Sequence, residues 1–159
     1  IGLATATSVR VGNAVGRGNW TDVSRAGWTG IGTGLLVLSA GMVLVWVSRH
    51  WLATFYTHDE LVASMGASAL GVVAVFVVSD GGQGIMNGAL RGAADVWVSM
   101  LLMMSGFWLV SLPLAWWLAF HADYGVNGLI WGLNWGAFVA MVLMMLRFHV
   151  LMRRRLRPA

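Results

Sequence analysis

Asp80, Gln83, Asn87 and Arg91 interrupt a stretch that is otherwise apolar and glycine-rich, "VFVVSDGGQGIMNGALRG" (75–92). On a helix turning about 100° per residue, Gln83 lies one turn from Asp80, Asn87 two turns and Arg91 three, so the four make one polar stripe. A carboxylate with amides in such a setting can do three things. It can take up and release a proton, because removal from water disfavours a carboxylate's charged form. It can bind a hard cation such as Na⁺ together with amide and carbonyl oxygens. It can also pair with a cationic substrate. A fourth reading needs no ligand: hydroxyls and backbone groups of a neighbouring helix satisfy the carboxylate.

The elements that carry the stripe follow from composition. Of 159 residues, 58% are hydrophobic and only 10% are charged, whereas a soluble domain carries about 25% charged residues. Such a chain reads as an all-α, polytopic membrane protein. The absence of cysteine excludes disulfides and thiolate metal sites. Ten tryptophans and two prolines suit membrane helices with interfacial anchors. The chain opens at Ile1 within an apolar pattern, with no basic leader, so no signal or transit peptide is expected and the chain reads as the C-terminal part of a longer protein.

A helical span needs about 20 apolar residues. Four such spans are expected, at about 26–48, 61–90, 96–120 and 128–147, with a partial one at about 1–15 that is too short to cross alone. "GRGNW" breaks the first, and Thr21 with Asp22 suits the start of the second. "SRHW" and "YTHDE" bound a polar connection, and a basic tail occupies 148–159. The stripe then lies inside the third span. Facing lipid it would cost several kcal/mol, so it is expected to face protein or a water-filled cavity. An acid at that depth is a functional candidate before it is a structural one.

The arginines give an orientation. Arg17, Arg25, Arg91, Arg147, Arg153, Arg154, Arg155 and Arg157 fall on one side and Arg49 alone on the other. The positive-inside rule makes the first side cytoplasmic, the C-terminus included. This accounts for the net charge of +4 without a nucleic-acid partner, although the tail can attract anionic lipid. Arg10, near the inner end of its span, can snorkel to the headgroups. Gly84, Gly88 and Gly92 recur every fourth residue and would let another helix approach closely. Asn134, mid-span, reads as an interhelical hydrogen bonder. Pro113 is expected to kink its helix and free a carbonyl. The methionines at 100, 103, 104, 141, 144 and 145 read as packing or lipid contact. Histidines 50, 58, 121 and 149 fall at span ends, which argues against an intramembrane histidine metal centre, and no Walker-type phosphate loop occurs.

Several motifs combine in one resemblance. "TSVRVGNAVGRGN" (7–19) resembles the eighth-helix signature of the multidrug and toxic compound extrusion (MATE) family. Asp80 followed by "GALRGAAD" (88–95) resembles the family's tenth helix, and "LPLAWWL" (112–118) and "GVNGLIWG" (125–132) resemble the eleventh and twelfth. The resemblance covers nearly the whole chain. It implies a partial C-terminal lobe, residues 1–159, of a twelve-helix transporter with two lobes around a central cavity. It implies exchange of Na⁺ or H⁺ for cationic and amphipathic drugs across a bacterial inner membrane, with no other cofactor. Asp80 falls on the carboxylate associated there with cation coupling or substrate binding, with Gln83 and Asn87 in support. Arg10, Gly12, Gly16, Gly88, Arg91, Gly92 and Pro113 fall on motif positions of structural weight. The partners implied are small amphipathic substrates, membrane lipid and the N-terminal lobe of the same protein. The alternatives are a flippase for lipid-linked oligosaccharides from the same superfamily and a non-transporting membrane scaffold. The flippase would want a more cationic cavity than Arg10 and Arg91 supply. The scaffold would not need an intramembrane acid. An enzyme would need paired acids, or Ser with His, at one depth, and the sequence offers no such set.

Overall fold

The structure, a computed structural model, describes residues 1–57 and 59–156. Expectations resting on His58, on Arg157 and on the last two residues lie outside the described residues. Five helices account for nearly all of what is described: α1 (Gly2–Gly16), α2 (Trp20–Tyr56), α3 (Glu60–Gly92), α4 (Val96–Phe120) and α5 (Gly125–Leu156). The last four are long and apolar enough to cross a membrane. At about 1.5 Å per residue, α2, α3 and α5 each run about 48–55 Å, well beyond the roughly 30 Å of hydrocarbon, so they project from it or tilt.

The helix ends differ from the sequence expectation at three places. First, α2 starts at Trp20 rather than at Thr21 with Asp22, because the Asn19 side chain caps it by accepting from the Asp22 N–H at 3.1 Å. Second, α2 does not stop before "SRHW" but runs to Tyr56. Its polar residues are satisfied inside the helix: Ser48 and Thr54 donate to the Leu44 and His50 carbonyls, and the Arg49 guanidinium lies 4.5 Å over the Trp46 ring. Third, residues 148–156 of the segment expected as a basic tail form the last part of α5. Phe148 and Met152 are buried there, Phe148 against Trp28, and Arg155 sits 4.6 Å over the Trp20 ring.

Pro113 does not break α4 sharply. The six residues Gly106–Ser111 just before it form a π-helical stretch, in which the Leu112 N–H reaches back five residues to the Phe107 carbonyl. A wider turn is one way a helix accommodates the proline's missing donor.

The core sits where α1, α2, α3 and α5 meet, around Val11, Val23, Ile85, Met86, Met144 and Phe148. Small residues set the spacing. A Cβ on Gly88 or Gly92 would strike the Ala4 or Ser8 carbonyl, so these two carry the close contact of α1 with α3. Gly84 does not share it: a Cβ there would meet nothing within 4 Å. A second stripe, Gly128, Gly132 and Gly136, seats α5 against the backbone of α4 at Leu118, Ala115 and Ser111. At the arginine-rich end Arg147 grips Asp95 bidentately, with Nε to Oδ2 at 2.6 Å and an Nη to Oδ1 at 3.2 Å. This ties the α3–α4 turn to α5. In that turn Ala94 takes a left-handed conformation, φ 61°.

Candidate functional site

The close packing of α1 on α3 leaves a groove beside it. Its cavity, ≈ 440 Å³, is lined by Asp80, Gly84, Asn87 and Arg91 of α3, by Thr5 and Ser8 of α1, and by Leu38 of α2. Gly84 lies on the same lining, beside Ile1 and Ala4. Asp80 is exposed here, and among the described residues its carboxylate forms no ion pair, the pairs being Arg17–Asp22 and Arg147–Asp95. Arg91 is exposed at the far end of the same groove. Eleven residues of rise, about 16 Å of helix, separate Asp80 from Arg91. The groove therefore offers an acid at one end and a base at the other.

Asn87 is held in place. The Ser99 Oγ of α4 donates to its Oδ1 at 2.9 Å, and its Nδ2 points at the Met103 sulfur at 3.7 Å. Seven residues of rise, about 10 Å, separate it from Asp80, whereas a hard cation holds its oxygens at about 2.5 Å. The Asn87 Oδ1 is already engaged by Ser99. Gln83 departs from the expected stripe: it is buried, 4% exposed, and does not line the groove. The angles explain it. Relative to Asp80, Asn87 lies at about −20° and Arg91 at about +20°, but Gln83 lies at about −60°, enough to turn it into the bundle.

The other sequence candidates scatter. Arg10 is exposed and lines a separate cavity of ≈ 380 Å³ with Asn13, Arg17, Asp22 and Arg25. Gly12 approaches the Gly92 carbonyl at 3.7 Å from a built Cβ, and so belongs to the α1–α3 contact. Gly16 ends α1 with open space where a side chain would stand, and the left-handed residue of that turn is Gly18, φ +68°. Asn134 is buried as expected, yet its Oδ1 has no hydrogen-bond partner, so the expected interhelical bond from that atom is not formed. Met141 and Met144 pack in the interior, while Met100, Met103 and Met104 are exposed. Among the described residues no three His, Asp or Glu side chains come together as a metal site. Sequence reasoning missed Thr5, Ser8 and Ser99. Thr5 and Ser8 lie about 60° apart around α1, a polar patch opposite α3 that a helical-wheel count of the first span reveals.

The MatE family profile matches residues 1–117. A probable multidrug resistance protein NorM of Rhodopseudomonas palustris is 40% identical over 157 residues, which is 96% of this chain and 33% of that protein. The multidrug resistance protein NorM of Burkholderia vietnamiensis is 38% identical, over 94% of this chain and 34% of its own length. The chain thus spans about a third of the length of these relatives. Among solved structures, an inward-facing multidrug resistance MATE family transporter of the MOP superfamily superposes with a TM-score of 0.84 at 19% identity, over 96% of this chain and 35% of that one. The eukaryotic MATE transporter AtDTX14 gives 0.84 at 22% identity, over the same shares.

Proposed function

The chain belongs to the MatE family, and on that premise we propose that it supplies five helices of the C-terminal lobe of a secondary transporter that expels cationic or amphipathic drugs in exchange for Na⁺ or H⁺. The relatives at 40% and 38% identity carry multidrug resistance names, and this supports the substrate class. The observation that carries the coupling reading is the placement of Asp80: a carboxylate with no ion pair among the described residues, on the same face of α3 as Asn87 and Arg91 and beside Thr5 and Ser8 of α1. The arginine-rich end faces the cytoplasm of a bacterium, by the positive-inside rule.

The chemistry follows from charge. With Asp80 ionised and no cation bound, the groove attracts a cationic or amphipathic drug, and the apolar surroundings strengthen that attraction relative to water. A proton or Na⁺ at Asp80 removes the attraction. Drug and coupling ion thus exclude each other at one carboxylate. If each favours a different packing of the two lobes, the exclusion becomes exchange, since a ligand shifts a two-state equilibrium by its differential affinity for the states. The exchange requires no covalent step, and the coupling ion takes the place of a cofactor. The substrate, the membrane lipid and the remaining two thirds of the protein are the partners.

Asp80→Asn in the complete protein tests the reading. The amide keeps the size of the side chain but does not titrate and holds Na⁺ poorly. Ion-driven drug efflux should collapse while the protein still reaches the membrane, and Asp80→Glu should fall between. A merely structural carboxylate would be partly replaced by Asn, and efflux would then track the amount of folded protein.

A further inference from the structure

The cavity of ≈ 380 Å³ beside the α1–α2 turn has a composition unlike that of the Asp80 groove. Arg10, Asn13 and Arg17 form its α1 wall, and Asp22 and Arg25 its α2 wall. The spacing puts them there. Asn13 and Arg17 lie within about 60° of Arg10 around α1, and Asp22 lies about 60° from Arg25 around α2. The small, buried Ala14 and Ala26 complete the lining. Arg17 is engaged by Asp22 at 3.7 Å. Arg10 and Arg25 form no ion pair and no ring contact among the described residues, whereas Arg147 grips Asp95 and Arg155 lies over Trp20. Two guanidiniums that share one cavity repel each other until an anion enters between them.

We propose that this cavity binds the phosphate of an anionic phospholipid, with Arg10 and Arg25 as its charged partners and the Asn13 amide in support. A guanidinium holds phosphate oxygens through paired, charge-assisted hydrogen bonds. Two uncompensated positive charges repel the ammonium of a zwitterionic headgroup, so the lipid is anionic. Both arginines lie within about two turns of the α1–α2 connection, where long side chains reach headgroup depth. A lipid is favoured over free phosphate by what adjoins the cavity toward the middle of the spans. On α1 the exposed Ala6 stands one turn from Arg10. On α2 Leu36, 71% exposed, stands three turns from Arg25 and within about 20° of its direction. Thr29, on that same face, donates its hydroxyl back to the Arg25 carbonyl at 2.8 Å and so needs no other partner. An acyl chain can therefore lie along this surface while its headgroup sits among the arginines. Arg153 and Arg154, at the end of α5, do not line the cavity, and their attraction for an anionic bilayer is a separate, diffuse one.

The test uses the complete protein in a neutral detergent, with native mass spectrometry to count bound lipid. Phosphatidylglycerol is the anionic probe, phosphatidylcholine the zwitterionic one and inorganic phosphate the soluble one. Expected is one phosphatidylglycerol retained per protein under conditions that strip phosphatidylcholine, and not displaced by inorganic phosphate at equal concentration. Arg10→Gln combined with Arg25→Gln should weaken retention about ten- to thirtyfold, near the worth of two arginines beside an anionic lipid. Arg153→Gln combined with Arg154→Gln should leave it unchanged. Asn13→Asp, an exposed change of like size, sets a carboxylate beside Arg10 and Arg17 and should also weaken retention severalfold; it decides the matter if the double variant does not reach the membrane. Asp80→Asn should leave retention unchanged, so the outcome is independent of the efflux reading. Four results would overturn the site. Equal retention of the two lipids would remove its charge selectivity, and displacement by inorganic phosphate would make it a site for free phosphate. Retention that responds to Arg153 and Arg154 instead would assign the lipid to the end of α5. No lipid retained by the wild-type protein would mean that the rest of the protein fills the cavity.

Discussion

Breaking the clamp between Asp95 and Arg147 should loosen the α3–α4 turn from α5 by a calculable amount. The pair makes two charge-assisted hydrogen bonds, at 2.6 and 3.2 Å, with side chains 14% and 29% exposed. A hydrogen bond to a charged group contributes about 1.5–3 kcal/mol, and a fully exposed ion pair only about 0–1 kcal/mol. The partial exposure puts this pair between those limits, so Asp95→Asn should cost about 2 kcal/mol. Arg147→Gln should cost about the same, since each leaves the other charge half-buried without its partner. The test is a double-mutant cycle by equilibrium unfolding of the complete protein in mixed micelles. Because the two substitutions remove one interaction, the double variant should cost about as much as either single one, giving a coupling energy of about 2 kcal/mol. Raising the salt concentration should reduce the coupling only in part, because the Asp95 side is mostly shielded from solvent. A coupling below about 0.5 kcal/mol, or one abolished by salt, would make the pair an ordinary surface contact and refute its role as a clamp.

Three further outcomes are expected. Phe148→Ala should destabilise the protein by about 3–5 kcal/mol in the same unfolding assay, as for a buried aromatic, whereas a solvated tail residue would give almost no change. Gly132→Leu should reduce the yield of folded protein sharply, because a side chain there strikes the Ala115 backbone of α4 and rigid overpacking costs about 1–3 kcal/mol or more; unchanged yield and melting would disprove the close contact. A cysteine at Thr57 should react with an impermeant thiol reagent added outside whole cells and one at Ala94 should not, and the reverse pattern would invert the orientation taken from the arginines.

What could be read from the sequence divides along physical lines. The number of helices and the middles of the spans were legible because hydrocarbon demands about 20 apolar residues, whatever the packing. The ends of α2 and α5 were not, because Arg49 and Arg153 to Arg155 look like loop residues when charge is weighed without periodicity. A signal was present all the same: Met144, Phe148 and Met152 are each four apart, one helix face carried past the membrane boundary. In the groove, residue type placed Asp80, Asn87 and Arg91 together, and helical angles within about 20° of Asp80 hold them there. Gln83 was grouped with them by spacing of three, which rotates it far enough to enter the bundle. The small-residue stripe was legible at Gly88 and Gly92, where α1 lies directly against α3. The seating of α5 on α4 through Gly128, Gly132 and Gly136 obeys the same rule and was overlooked.

The central claim is that drug and coupling ion exclude each other at Asp80, and flux in reverse tests it most directly. Purified complete protein is placed in liposomes with no ion gradient, a drug gradient is imposed, and movement of H⁺ and of Na⁺ is recorded with indicator dyes. Wild-type protein should drive one of the two ions against the drug's direction of travel. Asp80→Asn protein, folded and inserted to the same extent, should drive neither. Drug-dependent ion movement that survives in the Asn variant at the wild-type rate would contradict the assignment of exchange to Asp80.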